Sequence, residues 1–168
     1  MTAHEFNKHI VPLGDKLFRL AMSLLHDRDG AQDVVQDIME SMWRRRDVLS
    51  TVVSVEAYVM RSMRNLCLDR LRVARQREEH LHSVAHLTNT SVGAESGFDI
   101  KELVERYVAE LPEQQRTILH LRDVEGYEFD DIGAILSMES SAVRVALSRA
   151  RRQIRDKIQN ALDYDRAH

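Results

Sequence analysis

The chain is poor in the residues that interrupt helices, since its 168 residues include only two prolines and six glycines. Aromatic residues, which favour strands, make up only 5% of it, whereas strong helix formers such as Leu, Ala, Met, Glu, Gln and Arg are abundant. With 43% apolar and 30% charged residues, a disordered or fibrous protein is excluded. We therefore predict an all-α protein, built as one ordinary domain or as two small ones.

The chain also lacks the features of a secreted or membrane protein. Its single cysteine, Cys67, excludes an intramolecular disulfide. The N-terminal part has neither a long apolar run nor the short apolar core of a signal peptide. We therefore expect a cytoplasmic protein with no membrane insertion.

A surplus of positive charge is missing as well, because the net charge is -3. Such a chain does not coat nucleic acid indiscriminately. Two stretches are nevertheless basic: residues 61–77 hold six arginines against one acidic residue, and residues 139–157 hold six basic residues against two acidic ones. Either stretch alone would ordinarily be a solvated helix face.

Helical periodicity predicts a first domain over residues 1–78. Apolar residues recur at helical spacing up to Leu25, and a capping pair of Asp29 and Gln32 is predicted to open the next helix. The β-branched, Ser/Thr-rich stretch Val48–Ser54 is predicted to be a loop. The residues expected to face inward from the helix after Asp29 are Ala31, Val34, Val35, Ile38 and Met42, with Trp43 as a further candidate.

Periodicity fades over a predicted linker, residues 79–101, and returns in a second domain over residues 102–168. Pro112 is predicted in the first turn of a helix, and Gly126 interrupts the pattern. A short helix over 128–136, the turn Ser137–Glu139 and a longer helix follow. The longer helix is expected to bury Val143, Leu147, Ala150, Ile154 and Ile158. Such a hairpin with a basic outer face is typical of a helix-turn-helix, although small helical adaptors contain it too.

Two sets of motifs resemble a known family in the order in which the family has them. The first set resembles region 2 of the extracytoplasmic-function sigma factors, in the sigma-70 family, and the second resembles region 4. The first set comprises Ala31–Met39, Trp43 and Met63–Arg72, and the second comprises Leu111–Arg116, Glu125–Tyr127, Asp131–Gly133, Ala142–Arg144 and Leu147–Arg151. The linker and both termini lie outside the resemblance.

This resemblance implies a sigma factor, which binds RNA polymerase core and directs promoter-specific transcription initiation. It implies no catalytic residues, no cofactor and no metal. The first domain would dock on the clamp helices of the largest polymerase subunit and open the -10 element of promoter DNA, and the second would bind the -35 element. An anti-sigma factor is implied as a further partner, wedged between the two domains or wrapped around them.

The polymerase-binding face is predicted on the helix that follows Asp29. Turning its apolar stripe inward leaves an acidic, amide-bearing stripe at positions i, i+3, i+4 and i+7 on the outer face. Such a stripe suits a basic partner surface, and in the family this face meets the clamp helices. The predicted residues are Asp33, Gln36, Asp37 and Glu40.

In the family, the loop after that helix captures a base flipped out of the duplex, and the basic helix that follows tracks the DNA backbone. Val48–Ser54 is placed for that loop. Asn65 and Asp69 are better explained as residues that fix helix and loop through hydrogen bonds than as base readers. The residues predicted to contact -10 DNA are Arg61, Arg64, Asn65, Arg72 and Arg75.

The front of the longer helix in the second domain is predicted to contact -35 DNA. Arginine pairs with guanine edges, serine donates or accepts, and valine offers an apolar contact to a thymine methyl group. The predicted residues are Arg144, Val145, Ser148 and Arg149, while Arg151, Arg152 and Arg155 are assigned to phosphates or polymerase.

The hairpin departs from the family pattern at its turn. A glycine is usual where Ser137 stands, and Glu139 brings a carboxylate near the phosphates. Ser140 or Ser141 is expected to cap the following helix. Gly133 replaces the usual alanine, which we take as a small-for-small exchange with a cost of about 1 kcal/mol in helix propensity.

Two other functions stay open at this point. One is a sigma-like protein that sequesters an anti-sigma factor without binding DNA, against which the retained Arg144 and Arg149 argue. The other is a stand-alone helix-turn-helix regulator, which would need neither the acidic stripe nor the loop before Arg61.

Two further patterns are set aside. The carboxylates of Asp123–Asp131 have no His, Ser or Lys at catalytic spacing, so they predict no active site. His80, His82 and His86 fall in the predicted linker with no second cluster of ligands nearby, so we predict no metal site.

Overall fold

The computed structural model describes residues 1–82 and 99–167. Both described ranges are helical and contain no strand, which confirms the all-α prediction. The first range contains five α-helices and a short 3-10 turn, Val11–Leu13, which follows the first of them. The helices are α1 (Ala3–His9), α2 (Gly14–Leu25), α3 (Arg28–Arg44), α4 (Arg46–Leu49) and α5 (Val55–His82).

The second range begins with α6 (Ile100–Ala109) and α7 (Glu113–Leu119). A π-helical turn, His120–Val124, continues α7, and Gly126 then reverses the chain with a φ of 76°. The hairpin comprises α8 (Phe129–Leu136) and α9 (Ser140–Ala167), as its spacing predicts. Most of the predicted linker, including His86 and the side chain of His82, lies outside the described residues, so the domain boundaries stay predictions.

Local capping differs from the prediction in three places. Asp27, rather than Asp29, caps α3, because its carboxylate accepts the N–H of Gly30 at 3.0 Å. Pro112 precedes α7 as its cap residue instead of lying in its first turn. The hydroxyl of Ser140 donates to Asp130 on α8, so this serine ties the two helices of the hairpin together.

The inward stripe of α3 is largely as predicted, since Ala31, Val34, Ile38 and Met42 are buried. Val35, also predicted to face inward, is half-buried against the same core, whereas Trp43 departs from the prediction because it stays 40% exposed. Its ring meets that of Phe6 edge-on at 5.1 Å and lies under the guanidinium of Arg46 at 4.7 Å. The prediction did not include α1, which supplies Phe6 and so gives Trp43 a partner at the surface.

The loop predicted over Val48–Ser54 is too long by two residues. Val48 and Leu49 complete α4, and the side chain of Leu49 is fully buried. The hydroxyls of Ser50 and Thr51 then donate to backbone carbonyls of α4 at 2.6 and 2.8 Å, and they end the helix there. The loop predicted to capture a flipped base is therefore shortened to 50–54.

The turn between α8 and α9 requires glycine at position 133. Ser137 has a φ of 57°, and its N–H bonds to the carbonyl of Gly133, as does the N–H of Met138 at 2.9 Å. A Cβ at position 133 would lie 2.5 Å from the carbonyl oxygen of Met138. The interpretation of Gly133 as a simple exchange for another small residue is therefore wrong. The turn approaches α8 so closely that the Cβ of an alanine would clash with its backbone.

Gly133→Ala is expected to lower the free energy of unfolding by about 1–3 kcal/mol, because the backbone of the turn must shift. Helix propensity alone predicts the opposite sign, a gain of about 1 kcal/mol. Ser137→Gly is expected to raise the free energy by about 0.5–1 kcal/mol, because glycine adopts this φ without strain. Urea unfolding of both variants measures the two effects, and a stabilised Gly133→Ala variant would contradict the clash.

The two described ranges pack into one apolar core. Helix α5 packs against α8, and α2 packs against α7 and the π-helical turn. Ile118, Leu121, Ile132 and Ile135 of the second range are buried in the same cluster as Leu17, Leu20 and Met60 of the first. The second domain therefore lies directly on the helices that carry the predicted polymerase and -10 contacts.

Candidate nucleic-acid and polymerase interfaces

The front of α9 is exposed as its helical period predicts. Val143, Leu147 and Ala150 are buried beneath it. Because these three residues fix the rotation of the helix, the residues between them must face outward. The outward residues are the four predicted to contact -35 DNA: Arg144, Val145, Ser148 and Arg149.

The cations of α9 differ in whether a carboxylate neutralises them. Arg151 forms an ion pair with Asp123, and Arg152 forms one with Asp156 at 3.8 Å. Within residues 1–82 and 99–167, no carboxylate pairs with Arg144 or Arg149. The two arginines predicted to contact DNA therefore have charge available for an anionic ligand, as do Arg155 and Arg166 farther along the helix.

The basic helix α5 has two of its five predicted DNA contacts occupied by the second domain. Arg61 donates from Nε to the carbonyl of Ile135 at 3.0 Å and also to the carbonyl of Ala134. Arg64 forms a paired contact with the carboxylate of Glu113, at 2.7 and 2.8 Å, and its side chain is only 17% exposed. Glu113 therefore neutralises Arg64 in this arrangement, whereas Arg61 stays exposed and keeps its charge while carbonyls of α8 accept two of its N–H groups.

The other three predicted -10 contacts remain at the surface. Asn65, Arg72 and Arg75 are exposed along α5. Arg72 pairs with Asp69 at 2.7 Å, one turn earlier on the same helix. Asp69 therefore pairs within α5 and not with the loop 50–54, so the structural role proposed for it and for Asn65 stays a prediction.

All four residues of the predicted polymerase-binding stripe are exposed on α3. Two of them have partners: Asp37 pairs with Arg70 at 2.6 Å, and Glu40 pairs with Arg44. Among the described residues, the side chains of Asp33 and Gln36 form neither a hydrogen bond nor an ion pair. Asp33 and Gln36 therefore differ from Asp37 and Glu40 in having no side-chain partner within the described part of the chain.

A polar cluster that the sequence did not predict joins the two domains at one edge of the interface. Glu56 accepts hydrogen bonds from Lys16, at 2.8 Å, and from the hydroxyl of Tyr127. Burial favours a neutral Glu56, but these two donors outweigh it and lower the pKa of the carboxyl. Burial together with Glu56 raises the pKa of Tyr127, so the phenol remains a donor.

A second unpredicted cluster contains Arg19, Glu125 and His120. Arg19 donates twice to Glu125, at 2.7 Å each, and the Glu125 side chain is 2% exposed. Burial opposes its charge, but Arg19 prevails and lowers the pKa of Glu125. Burial also lowers the pKa of His120, whose Nε2 lies 3.3 Å from Glu125. An anionic carboxylate paired with a cation of the other domain is therefore one of the polar contacts that join the two domains.

A groove of about 550 Å³ opens beside this cluster, between α6, the π-helical turn and α9. Ile154 and Ile158, predicted to be core residues, are only partly buried because they line this groove. Its other apolar lining residues are Val104, Val108, Leu119 and Val124.

Within residues 1–82 and 99–167, no helix combines the length and the apolar character that crossing a membrane requires. In the same residues, no group of three or more His, Cys, Asp or Glu side chains is arranged to hold a metal ion.

Comparison with known proteins identifies the two domains. The family described as Sigma-70 region 2 matches residues 10–77, and the one described as Sigma-70, region 4 matches residues 101–154. The chain is 28% identical over 141 residues to the ECF RNA polymerase sigma factor SigM of Mycobacterium tuberculosis, covering 83% of this chain and 69% of that protein. It is also 28% identical over 158 residues to the RNA polymerase sigma-E factor of Streptomyces avermitilis, covering 93% and 86% of the two chains.

Solved structures share the fold. The sigma factor RpoE of Bartonella quintana, in complex with the anti-sigma factor NepR, superposes with a TM-score of 0.72 at 22% identity, over 92% of this chain and 97% of that one. CnrH, in complex with the cytosolic domain of CnrY, gives 0.66 at 21% identity, over 98% and 91% of the two chains. With both regions matched in order across helical domains of this fold, the chain belongs to the sigma-70 family and is an extracytoplasmic-function sigma factor, which directs RNA polymerase to promoters.

Proposed function

We propose that three exposed helix faces divide the work of this sigma factor. The stripe of α3 binds the clamp helices of polymerase core, α5 with the loop 50–54 opens the -10 element, and the front of α9 binds the -35 element. One observation carries the proposal: α9 presents Arg144 and Arg149 on its outer face without ion-pair partners among the described residues, while Arg151 and Arg152 beside them form ion pairs. Uncompensated guanidinium groups along a recognition helix fit DNA.

The described arrangement is, in this proposal, the resting form. Arg64 cannot bind the -10 backbone while it is paired with Glu113, and hydrogen bonds hold Arg61 against α8, so in this proposal the domains separate before promoter opening. An anti-sigma factor is the proposed partner that retains the resting form, by analogy with the RpoE–NepR and CnrH–CnrY complexes. The proposed domain boundaries remain 1–78 and 102–168, with 79–101 as the linker that permits the movement.

The chain is further proposed to act in the cytoplasm, to need no cofactor and to catalyse no reaction itself. Three of the carboxylates in Asp123–Asp131 form ion pairs: Asp123 with Arg151, Glu125 with Arg19 and Glu128 with Arg122. Retention of a charged, exposed recognition helix argues against a protein that only sequesters an anti-sigma factor.

Binding to purified RNA polymerase core tests the proposal. Changing both Asp33 and Gln36 to Lys is expected to weaken binding at least about tenfold, because a basic partner surface would then meet like charge. The matched control changes Gln76 and Glu78 to Lys, which adds the same charge at exposed positions of α5 outside the stripe. Equal binding by the two double variants would remove the stripe from the interface, and no binding by the wild-type chain would refute the proposal itself.

A further inference from the structure

The two helices of the hairpin are linked by a contact between a ring and a cation. The guanidinium carbon of Arg144, on the second turn of α9, lies 4.1 Å from the ring centroid of Phe129. Phe129 is the first residue of α8, and it is half-buried and packed against the shared apolar core. The ring is therefore fixed by the body of the protein, whereas Arg144 is exposed at the surface.

A second guanidinium, that of Arg122, contacts the same ring. Arg122, from the π-helical turn, lies 4.6 Å from the Phe129 centroid. Its own position is set by a hydrogen bond to the carbonyl of Tyr127, at 2.7 Å, and by Glu128 at 3.2 Å. The charge of Arg122 is thus compensated by a carboxylate, while that of Arg144 is balanced by no carboxylate in the described residues.

We propose that Phe129 is a positioning residue for -35 recognition, which it serves by holding Arg144 in the conformation that meets DNA. This inference rests on the proposed DNA contact of Arg144. Stacking uses the flat face of the guanidinium and leaves its N–H edges available for a guanine edge or a phosphate. A side chain ordered before binding loses less conformational freedom when the complex forms, so the ring contributes to affinity without touching the DNA.

The contact predicts the size and the direction of the effect. Phe129→Leu keeps an apolar side chain against the core but removes the ring face, and an exposed cation–π contact corresponds to about a two- to fivefold change in affinity. The variant should bind more weakly by that factor, whereas Phe129→Tyr, which keeps the ring, should bind like the wild type. If Arg144 had to leave the ring in order to reach DNA, Phe129→Leu would instead bind more tightly.

The test uses the full chain bound to polymerase core. Its DNA is a duplex that the wild-type complex has selected from a pool of duplexes randomised in the -35 region. Affinity is measured for Phe129→Leu, for Arg144→Ala and for the two combined, and again on duplexes changed at single positions. We expect Phe129→Leu to have no effect on affinity in a chain that already carries Arg144→Ala. We also expect each single variant to lose discrimination between bases at the same position of the duplex. If the ring served only the fold, Phe129→Leu would weaken binding to all duplexes equally, with Arg144 present or replaced by alanine.

The outcomes separate the inference from the proposed function. If Arg144→Ala binds DNA like the wild type, the proposed contact fails and the role of Phe129 fails with it. If Arg144→Ala weakens binding but Phe129→Leu does not, or strengthens it, only the positioning role is overturned. Should Phe129→Leu fold poorly in thermal unfolding, Phe129→Met provides the same loss of the ring with another apolar side chain.

Discussion

Replacing Arg19 with glutamate should separate the two domains of the free chain. The paired hydrogen bonds of Arg19 compensate Glu125, a carboxylate whose side chain is almost completely buried in the interface. The substitution leaves that carboxylate without its cation and places a second one beside it. Removing the cation from so buried a carboxylate costs about 1–3 kcal/mol, since Arg19 itself is half-exposed and water screens part of the pair. That cost would shift the closing equilibrium about ten- to a hundredfold toward the open form.

Small-angle X-ray scattering checks this prediction, because separated domains increase the radius of gyration of the free chain. The double variant Arg19→Glu with Glu125→Arg restores opposite charges and should close again. Arg45→Glu, an exposed change on the first domain away from Arg19, serves as the control. A compact Arg19→Glu variant would mean that apolar packing alone keeps the domains together.

A second large effect is expected at Arg64, which has one partner in the closed form and another in the proposed promoter complex. Glu113→Gln removes the charge that binds Arg64 in the interface, yet its side-chain oxygen can still accept the hydroxyl of Thr117. Arg64→Gln breaks the same contact and also removes the proposed DNA contact. Both variants should therefore open the free chain to a similar extent, while their effects on promoter opening differ.

With polymerase core present, Arg64→Gln should lower promoter opening by about ten- to a hundredfold, the size of a lost charged hydrogen bond. Glu113→Gln should open the promoter at least as well as the wild type. Permanganate reactivity of unpaired thymines in the -10 element measures the difference. Identical opening by the two variants would show that Arg64 acts only in the interface between domains.

Features set by neighbouring residues were predictable from the sequence. The rotation of α9 follows from Val143, Leu147 and Ala150, since a helical period alone decides which residues face outward. For the same reason the exposure of Asp33 and Gln36 on α3 was predictable. The errors in these regions were small shifts, such as the cap at Asp27, because Asp27 and Asp29 are both plausible cap residues two positions apart.

Contacts between distant parts of the chain were not predictable. Arg19 and Glu125 are separated by 106 residues, and nothing near either residue marks the other as its partner. The occupation of Arg61 and Arg64 depends on how the second domain lies on α5, which no local period encodes. The need for Gly133 likewise depends on a carbonyl brought close by the turn, so propensity alone gave the wrong explanation.

The apolar core shared by the two domains makes their separation sensitive to temperature. When the two domains separate, the buried side chains of Ile118, Ile132 and Ile135 become more exposed to water. Exposure of apolar surface increases the heat capacity of the chain. The attraction that closes the chain therefore weakens on cooling, unlike that of an interface held only by ion pairs. Polymerase core, or any partner that binds the separated domains, must either cover this apolar surface or leave it exposed to solvent. Calorimetry of the binding step would distinguish the two cases, since covering the surface lowers the heat capacity and leaving it exposed raises it.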